Sequence, residues 1–231
     1  MLRILLSRMK VCSMTAIPLI AMSDWTCADP VSTWDAASGL KPDEISEPYE
    51  LVDNFGNPPV LDTGKLIIST NENNHNVYYV QLEPLVVPTR KSTLILEMRL
   101  VSGSSSSTSR APAAFLITIA PSIGTVVHID VDRVFFSIGQ SVIGPISNVD
   151  TDDAMHTYRL EHDGDGNFTL FHDDSEILTA SAYESASDHG QVQRFAFGEI
   201  SSFAFGVSEW GSVSHDFLEL NFKDSYEALD Q

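Results

Sequence analysis

Beyond its N-terminal segment the chain alternates apolar and polar residues with period two, the pattern of strands that bury one face. From Thr93 to Val101, Leu94, Leu96, Met98 and Leu100 fall on one side, with Glu97 and Arg99 on the other. Val127, Ile129 and Val131 alternate with His128, Asp130 and Asp132, and Tyr158 and Leu160 with Arg159 and Glu161. Phe195, Phe197, Phe203, Phe205 and Val207 continue the alternation, and Phe217 carries it into a last strand. No helical periodicity is sustained after the leader. Turn residues divide these runs. Asp163-Gly164-Asp165-Gly166-Asn167 reads as a hairpin turn, because Gly and Asn accept positive φ. Asp173-Asp174-Ser175-Glu176 supplies the next turn, and Asn71–Asn76 and the Ser-rich stretch Gly103–Ser109 read as polar loops. The spacing predicts roughly ten to twelve short strands in one all-β domain, a two-sheet antiparallel jelly-roll sandwich.

The first 28 residues differ from the rest. Arg3, Arg8 and Lys10 precede an apolar run from Val11 to Met22, and Thr26-Cys27-Ala28 ends in the small residues a signal peptidase reads. The run is shorter than the roughly 20 residues a membrane-spanning helix needs. The expectation is a secretory signal peptide over residues 1–28 and a β-sandwich over 29–231, with a secreted, periplasmic or extracellular destination. Both cysteines, Cys12 and Cys27, would leave with the leader, so no disulfide or thiolate chemistry is expected of the mature chain. With Arg3, Arg8, Lys10 and Asp24 removed, 13 basic and 32 acidic residues become 10 and 31, a net charge of −21. Such a field disfavours nucleic acid and anionic membranes as partners and makes cations plausible ligands. At 43% hydrophobic residues and 19% charged ones, the composition is that of a globular domain.

Three stretches together resemble the concanavalin A-like lectin/glucanase superfamily, specifically its laminin G-like and bacterial exported members. They are Trp34-Asp-Ala-Ala-Ser-Gly-Leu-Lys-Pro-Asp43; His156-Thr-Tyr-Arg-Leu160 with its Asp-Gly hairpin and Phe168-Thr-Leu-Phe-His-Asp173; and Phe197-Gly-Glu199, followed by Phe205-Gly206 through Trp210 to Ser214-His-Asp-Phe217. The resemblance implies two curved sheets, with ligands meeting an edge loop or the concave face. It implies fold more than activity, since this architecture also carries lectins, hydrolases, lyases and adhesion modules.

Glucanases of that superfamily set alternate carboxylates on one strand, Glu-x-Asp-x-Glu, so that nucleophile and acid share a cleft. The nearest run here is Glu161-His-Asp163-Gly-Asp165, which ends in Asp and lies half in a turn. No lyase motif and no Gly-x-Ser-x-Gly elbow is present. A Ser-His-Asp triad stays open, because its members converge only in space.

The candidate binding groups are few. His128, Asp130 and Asp132 would share one strand face, either as a ligand-binding stripe or as an ordinary solvent-facing one. Asp150, Asp152 and Asp153 cluster as oxygen ligands for calcium would, or form an acidic turn. Trp210 would either stack its indole on a sugar face or close one end of the sandwich. The expected function is an exported, non-catalytic recognition module for polysaccharide or surface glycan, with calcium assistance. The alternative is a structural or adhesion domain binding another protein, and a glycan-active hydrolase has the least support.

Overall fold

The computed structural model describes residues 32–46, 49–54, 56–82 and 89–216. The proposed leader, Cys12, Cys27 and Phe217 lie outside the described residues. In chain order the strands are β1 (Ser32–Asp35), β2 (Glu50–Asp53), β3 (Val60–Asp62), β4 (Lys65–Ser69), β5 (Val77–Leu82), β6 (Ser92–Ser105), β7 (Ala113–Ala120) and β8 (Ile123–Asp130). They continue with β9 (Arg133–Gly139), β10 (Val142–Ser147), β11 (His156–His162), β12 (Asn167–His172), β13 (Ser175–Ser181), β14 (Tyr183–Glu184), β15 (Arg194–Glu199) and β16 (Ala204–His215). A single helical turn, α1 (Ala186–His189), interrupts them late in the chain.

Two antiparallel sheets of eight strands each face one another. The first runs β13-β12-β11-β6-β16-β4-β3, with β1 also on β16; the second runs β10-β9-β8-β7-β15-β5-β2, with β14 on β8. The expected sandwich is therefore present, with more strands than the alternation predicted. The surplus comes from short segments such as β2, β3 and β14, too brief to show a period. The Ser-rich stretch is also shorter as a loop than expected, because β6 continues through Ser105 and pairs with Ala204 of β16.

The two sheets bury their faces differently. In β6, Leu94, Leu96, Met98 and Leu100 point to the core while the residues between them are exposed or half-buried, so the first sheet has one solvated side. In β7 the seven residues from Ala113 to Ile119 are all buried. Ala113, Phe115, Ile117 and Ile119 face the core, whereas Ala114 and Leu116 join Val126 in a second apolar cluster on the far side. The outer face of the second sheet is therefore covered, and the site described below is formed there.

Phe197 of β15 centres the core. Its ring lies 5.0 Å from Trp210, 5.6 Å from Tyr49, 5.7 Å from Tyr79, 5.9 Å from Phe195 and 6.1 Å from Trp34, measured between centroids. Trp210 is thus fully buried between the sheets, its Nε1 donating to Ser208 Oγ at 2.8 Å. This corrects the sugar-stacking expectation. Glu209-Trp-Gly-Ser212 lies in the middle of β16, where a register shift between Trp210 and Ser212 takes up Gly211. Buried positions are even-numbered up to Trp210 and odd-numbered after this shift, so upstream of it the parity is opposite to that expected. Ala204, Ser208, Trp210, Val213 and His215 are buried, Phe205 and Val207 only partly so, and Phe203 stands exposed in the preceding turn.

Candidate functional site

Outside the second sheet a cavity of about 300 Å³ opens over β7, β8 and β15. Leu116 and Val126, paired across the β7–β8 ladder, make an apolar floor, with Ile200 packed beside them. Tyr78, His128, Arg110, Asp188 and Arg194 supply polar lining, and Asn76, Ser187, Ser201 and Ser202 complete the rim.

The segment 183–190 builds one wall. Ser185 caps α1 by accepting from the Asp188 amide at 3.2 Å, and Gly190 ends the helix with positive φ, 74°. The turn is pinned to the β7–β8 connection, since the Ser185 amide donates to Ser122 O at 2.8 Å and the Ser122 amide to Gly190 O at 3.0 Å. Asp188 then ties three elements together. Its Oδ1 is 3.4 Å from Arg110 Nη2, its Oδ2 accepts from Tyr183 Oη at 3.0 Å, and its backbone carbonyl accepts from Arg194 Nη2 at 2.6 Å. Burial and the adjacent Asp188 charge push the Tyr183 hydroxyl up, so it stays a neutral donor. Arg194 leaves its Nε buried without a hydrogen bond. Two guanidinium groups against one carboxylate make this cavity locally positive in a chain of net charge −19.

His128 is the one sequence candidate that lines this cavity. It is 3% exposed, its ring stacks on Phe135 at 4.9 Å, and Nε2 meets Ser137 Oγ at 3.1 Å. Burial first, and then the charge of Arg110, lower its pKa to about 3, so the imidazole is neutral at ordinary pH. The Ser137–His128 pair lacks the rest of a catalytic triad. Ser137 is fully buried, His128 Nδ1 has no hydrogen-bond partner, and a base with so low a pKa is weakly basic at neutrality.

The expected His128-Asp130-Asp132 stripe is broken by the structure. Asp130 is the last residue of β8 and is held by Arg133, whose Nε and Nη2 lie 3.1 and 3.0 Å from its Oδ2. Asp132 falls in the turn beyond and lines a different, open cleft of about 380 Å³ with Val131, Asn148, Val149, Asp150 and Asp152. That cleft brings together three carboxylates that sequence placed in two separate groups. The hydrogen bond and charge of Asp150 raise the Asp152 pKa, an acidic crowding that a bound cation would relieve. Asp153 turns away, its Oδ1 lying 2.7 Å from His156 Nε2.

The hairpin carboxylates have structural partners. Asp163 accepts from the amides of Asp165 and Asn167 at 2.7 and 3.0 Å and from Asn167 Nδ2 at 2.8 Å. These donors hold its pKa at about 2, opposite to the raised value a glycosidase acid needs. Glu161 pairs with Arg159.

Arg110, Asp188, Arg194 and Tyr78 were not singled out by sequence. They lie on separate elements with no common spacing, and only the packing of 183–190 onto β7 and β8 assembles them.

No protein-family model and no curated protein matches the chain. Solved structures do match it. A carbohydrate esterase of the Shiga toxin-encoding bacteriophage phi24B superposes with a TM-score of 0.55 at 9% identity, over 81% of this chain and 97% of its own. A point mutant of the Emp46p carbohydrate recognition domain gives 0.53 at 12% identity, over 85% and 100%. The metal-free exoplasmic/lumenal domain of VIP36 gives 0.51 at 7% identity, over 81% and 91%.

Proposed function

We propose that this concanavalin A-like sandwich is an exported carbohydrate-recognition module that binds its ligand in the cavity over β7, β8 and β15. The observation that carries this is the cavity's two-sided chemistry. A sugar ring presents C–H groups on its faces and hydroxyls around its edge; Leu116 and Val126 suit the first, and Tyr78, Arg110, Asp188, Arg194 and Asn76 suit the second. The guanidinium groups give charge-assisted hydrogen bonds, the stronger kind. The same fold serves the carbohydrate recognition domain of Emp46p and the carbohydrate esterase of phage phi24B, which supports the reading.

Thermal unfolding of the chain from Asp29 across a panel of polysaccharides is the test, because a ligand of the folded state raises the midpoint. One glycan class should raise it, and Arg110→Gln and Asn76→Ala should each weaken that glycan's affinity by up to about tenfold, the scale of one net hydrogen bond. If no glycan shifts the midpoint, or both variants bind like the parent, the cavity is not a glycan site.

Calcium assistance belongs to this proposal through Asp132, Asp150 and Asp152, which face one cleft as hard oxygen ligands. Calcium should then strengthen glycan binding, and Asp152→Asn should remove the enhancement; glycan affinities equal in calcium and in chelator would refute it.

A protein partner is the second reading, and the β9–β10 edge favours it. Ile138, Val142 and Ile146 are 47, 48 and 47% exposed there. β10 is a terminal strand of its sheet, open to pairing along one side. Ile146→Lys would abolish association of that kind and leave glycan binding intact.

A further inference from the structure

At the far end of the first sheet a second constellation forms without any residue of the cavity. His156 opens β11, His172 closes β12, and Asp173 begins the turn to β13. The β11–β12 ladder pairs Tyr158 with His172, which brings the two imidazoles to 4.5 Å between centroids. His156 Nδ1 lies 2.6 Å from Asp173 Oδ2, and His172 Nδ1 lies 3.9 Å from the same oxygen. One ligand atom from each residue falls within 4.8 Å of the other two.

The remaining atoms of His156 and Asp173 are already anchored. His156 Nε2 meets Asp153 Oδ1 at 2.7 Å, and Asp173 Oδ1 accepts the Thr157 amide at 3.0 Å. A histidine whose outer nitrogen rests on a carboxylate has its inner nitrogen fixed for a metal, and a carboxylate held by a backbone amide is similarly aimed. Asp173 itself sits at φ 47°, a left-handed conformation that the hairpin imposes.

An ion pair of one imidazolium with two carboxylates would account for His156 alone. It does not account for His172, whose ring packs between His156 and Tyr158, 5.1 Å from the latter. Its Nε2 is enclosed without a hydrogen bond, and its Nδ1 is too far from Asp173 for one. For hydrogen bonding His172 otherwise meets only the Asp150 backbone, and a shared cation among the three residues draws both imidazoles and the carboxylate onto one centre.

We propose that His156, His172 and Asp173 bind one divalent transition metal of the zinc class. Two imidazole nitrogens and one carboxylate oxygen suit such an ion, whereas calcium and magnesium prefer all-oxygen shells. Asp173 is 52% exposed, so a fourth position opens to water or to a ligand oxygen. The cluster is separate from the acidic cleft proposed for calcium, and the assignment does not depend on the glycan reading.

The test is isothermal titration of the tag-free chain from Asp29, dialysed against chelator, with zinc chloride and separately with calcium chloride. Zinc should bind at one equivalent and raise the unfolding midpoint, and cobalt bound in its place should give the visible absorption of a low-coordinate site. His172→Ala should abolish these signals. Asp173→Asn is the variant chosen to fold, since asparagine tolerates positive φ, and it should weaken zinc at least tenfold. Asp152→Asn should bind zinc like the parent. Absence of stoichiometric zinc binding, or binding undiminished in both His172→Ala and Asp173→Asn, overturns the proposal. Calcium binding that is lost in these two variants overturns the zinc-class assignment.

Discussion

Glu199 ends β15 with its carboxyl enclosed, 1% exposed, one oxygen accepting from the Ser201 amide at 2.9 Å and the other without a hydrogen-bond partner. Burial pushes its pKa well above the ordinary carboxylate range. As pH rises past about 4.5, the unfolded chain loses this proton while the folded chain keeps it, so folding stability falls with pH. Glu199→Gln removes that slope, and urea unfolding at pH 5 and pH 8 should show the variant gaining on the parent only at the higher pH. His128 and His215 act with the opposite sign. Their folded pKa values, about 3 and about 4, lie below the ordinary 6.5, because burial disfavours the imidazolium. The unfolded chain therefore takes up protons first as pH falls from 6.5. Stability is full above 6.5 and lost toward pH 3, and His128→Asn should flatten this acid limb by up to about 1.4 kcal/mol per pH unit, one proton's worth. An unchanged limb would mean His128 is protonated in the fold. At this scale the sequence was informative about residue type and poor about partner. It offered His128 as a ligand group and Trp210 as a sugar platform; the first lines the cavity and the second is core, because burial is settled by the strand opposite.

Among the elements, β6 and β11 were the most legible, since one face of each meets solvent and the alternation survives intact. β7 and β8 hide the cavity they floor for the converse reason. Ala-Ala-Phe-Leu-Ile-Thr-Ile and Gly-Thr-Val-Val-His-Ile are buried on both faces, and the sequence cannot say that α1 and β14 are what cover the second one. Close pairing of these strands depends on Gly124. A Cβ there would stand 2.2 Å from the Ile117 carbonyl oxygen and 2.8 Å from the Thr118 Cα, both backbone atoms with little freedom to yield. Gly124→Ala should cost about 1–3 kcal/mol, the usual penalty of overpacking, and should also weaken glycan binding by shifting the cavity floor. Thermal unfolding with and without ligand separates the two effects; a variant as stable as the parent would show that the ladder can shift. The wall depends on Asp188 in the same way. Asp188→Ala would take the carboxylate from Arg110 and Tyr183 while leaving the backbone bond to Arg194, and ligand affinity should fall further than stability.

Across the whole molecule, one aromatic cluster joins the sheets. Trp34 from β1, Tyr79 from β5, Phe195 and Phe197 from β15 and Trp210 from β16 meet in it, with Tyr49 just before β2. Trp210→Ala should cost about 3–5 kcal/mol and lower the unfolding midpoint sharply, where a surface tryptophan would leave it almost unchanged. Charge and two-sheet architecture could be read from composition and period; the order of strands within each sheet could not, because it is set by contacts between distant parts of the chain. β16 is the case in point. One of its edges runs along β6, and the other is shared between β4, at Val207–Trp210, and β1, at Ser212–His215. Among the described strands, β16 therefore leaves the ribosome last, and it is the one on which β1, β4 and β6 converge. Until it arrives, a nascent chain holds two half-sheets with a gap between them, each presenting unpaired edges to its neighbours, and neither can close the core. Synthesis and assembly are thus out of step: the sandwich should assemble only once β16 has emerged, as a late and nearly all-or-none event. A chain stalled before Ala204 should stay open to protease.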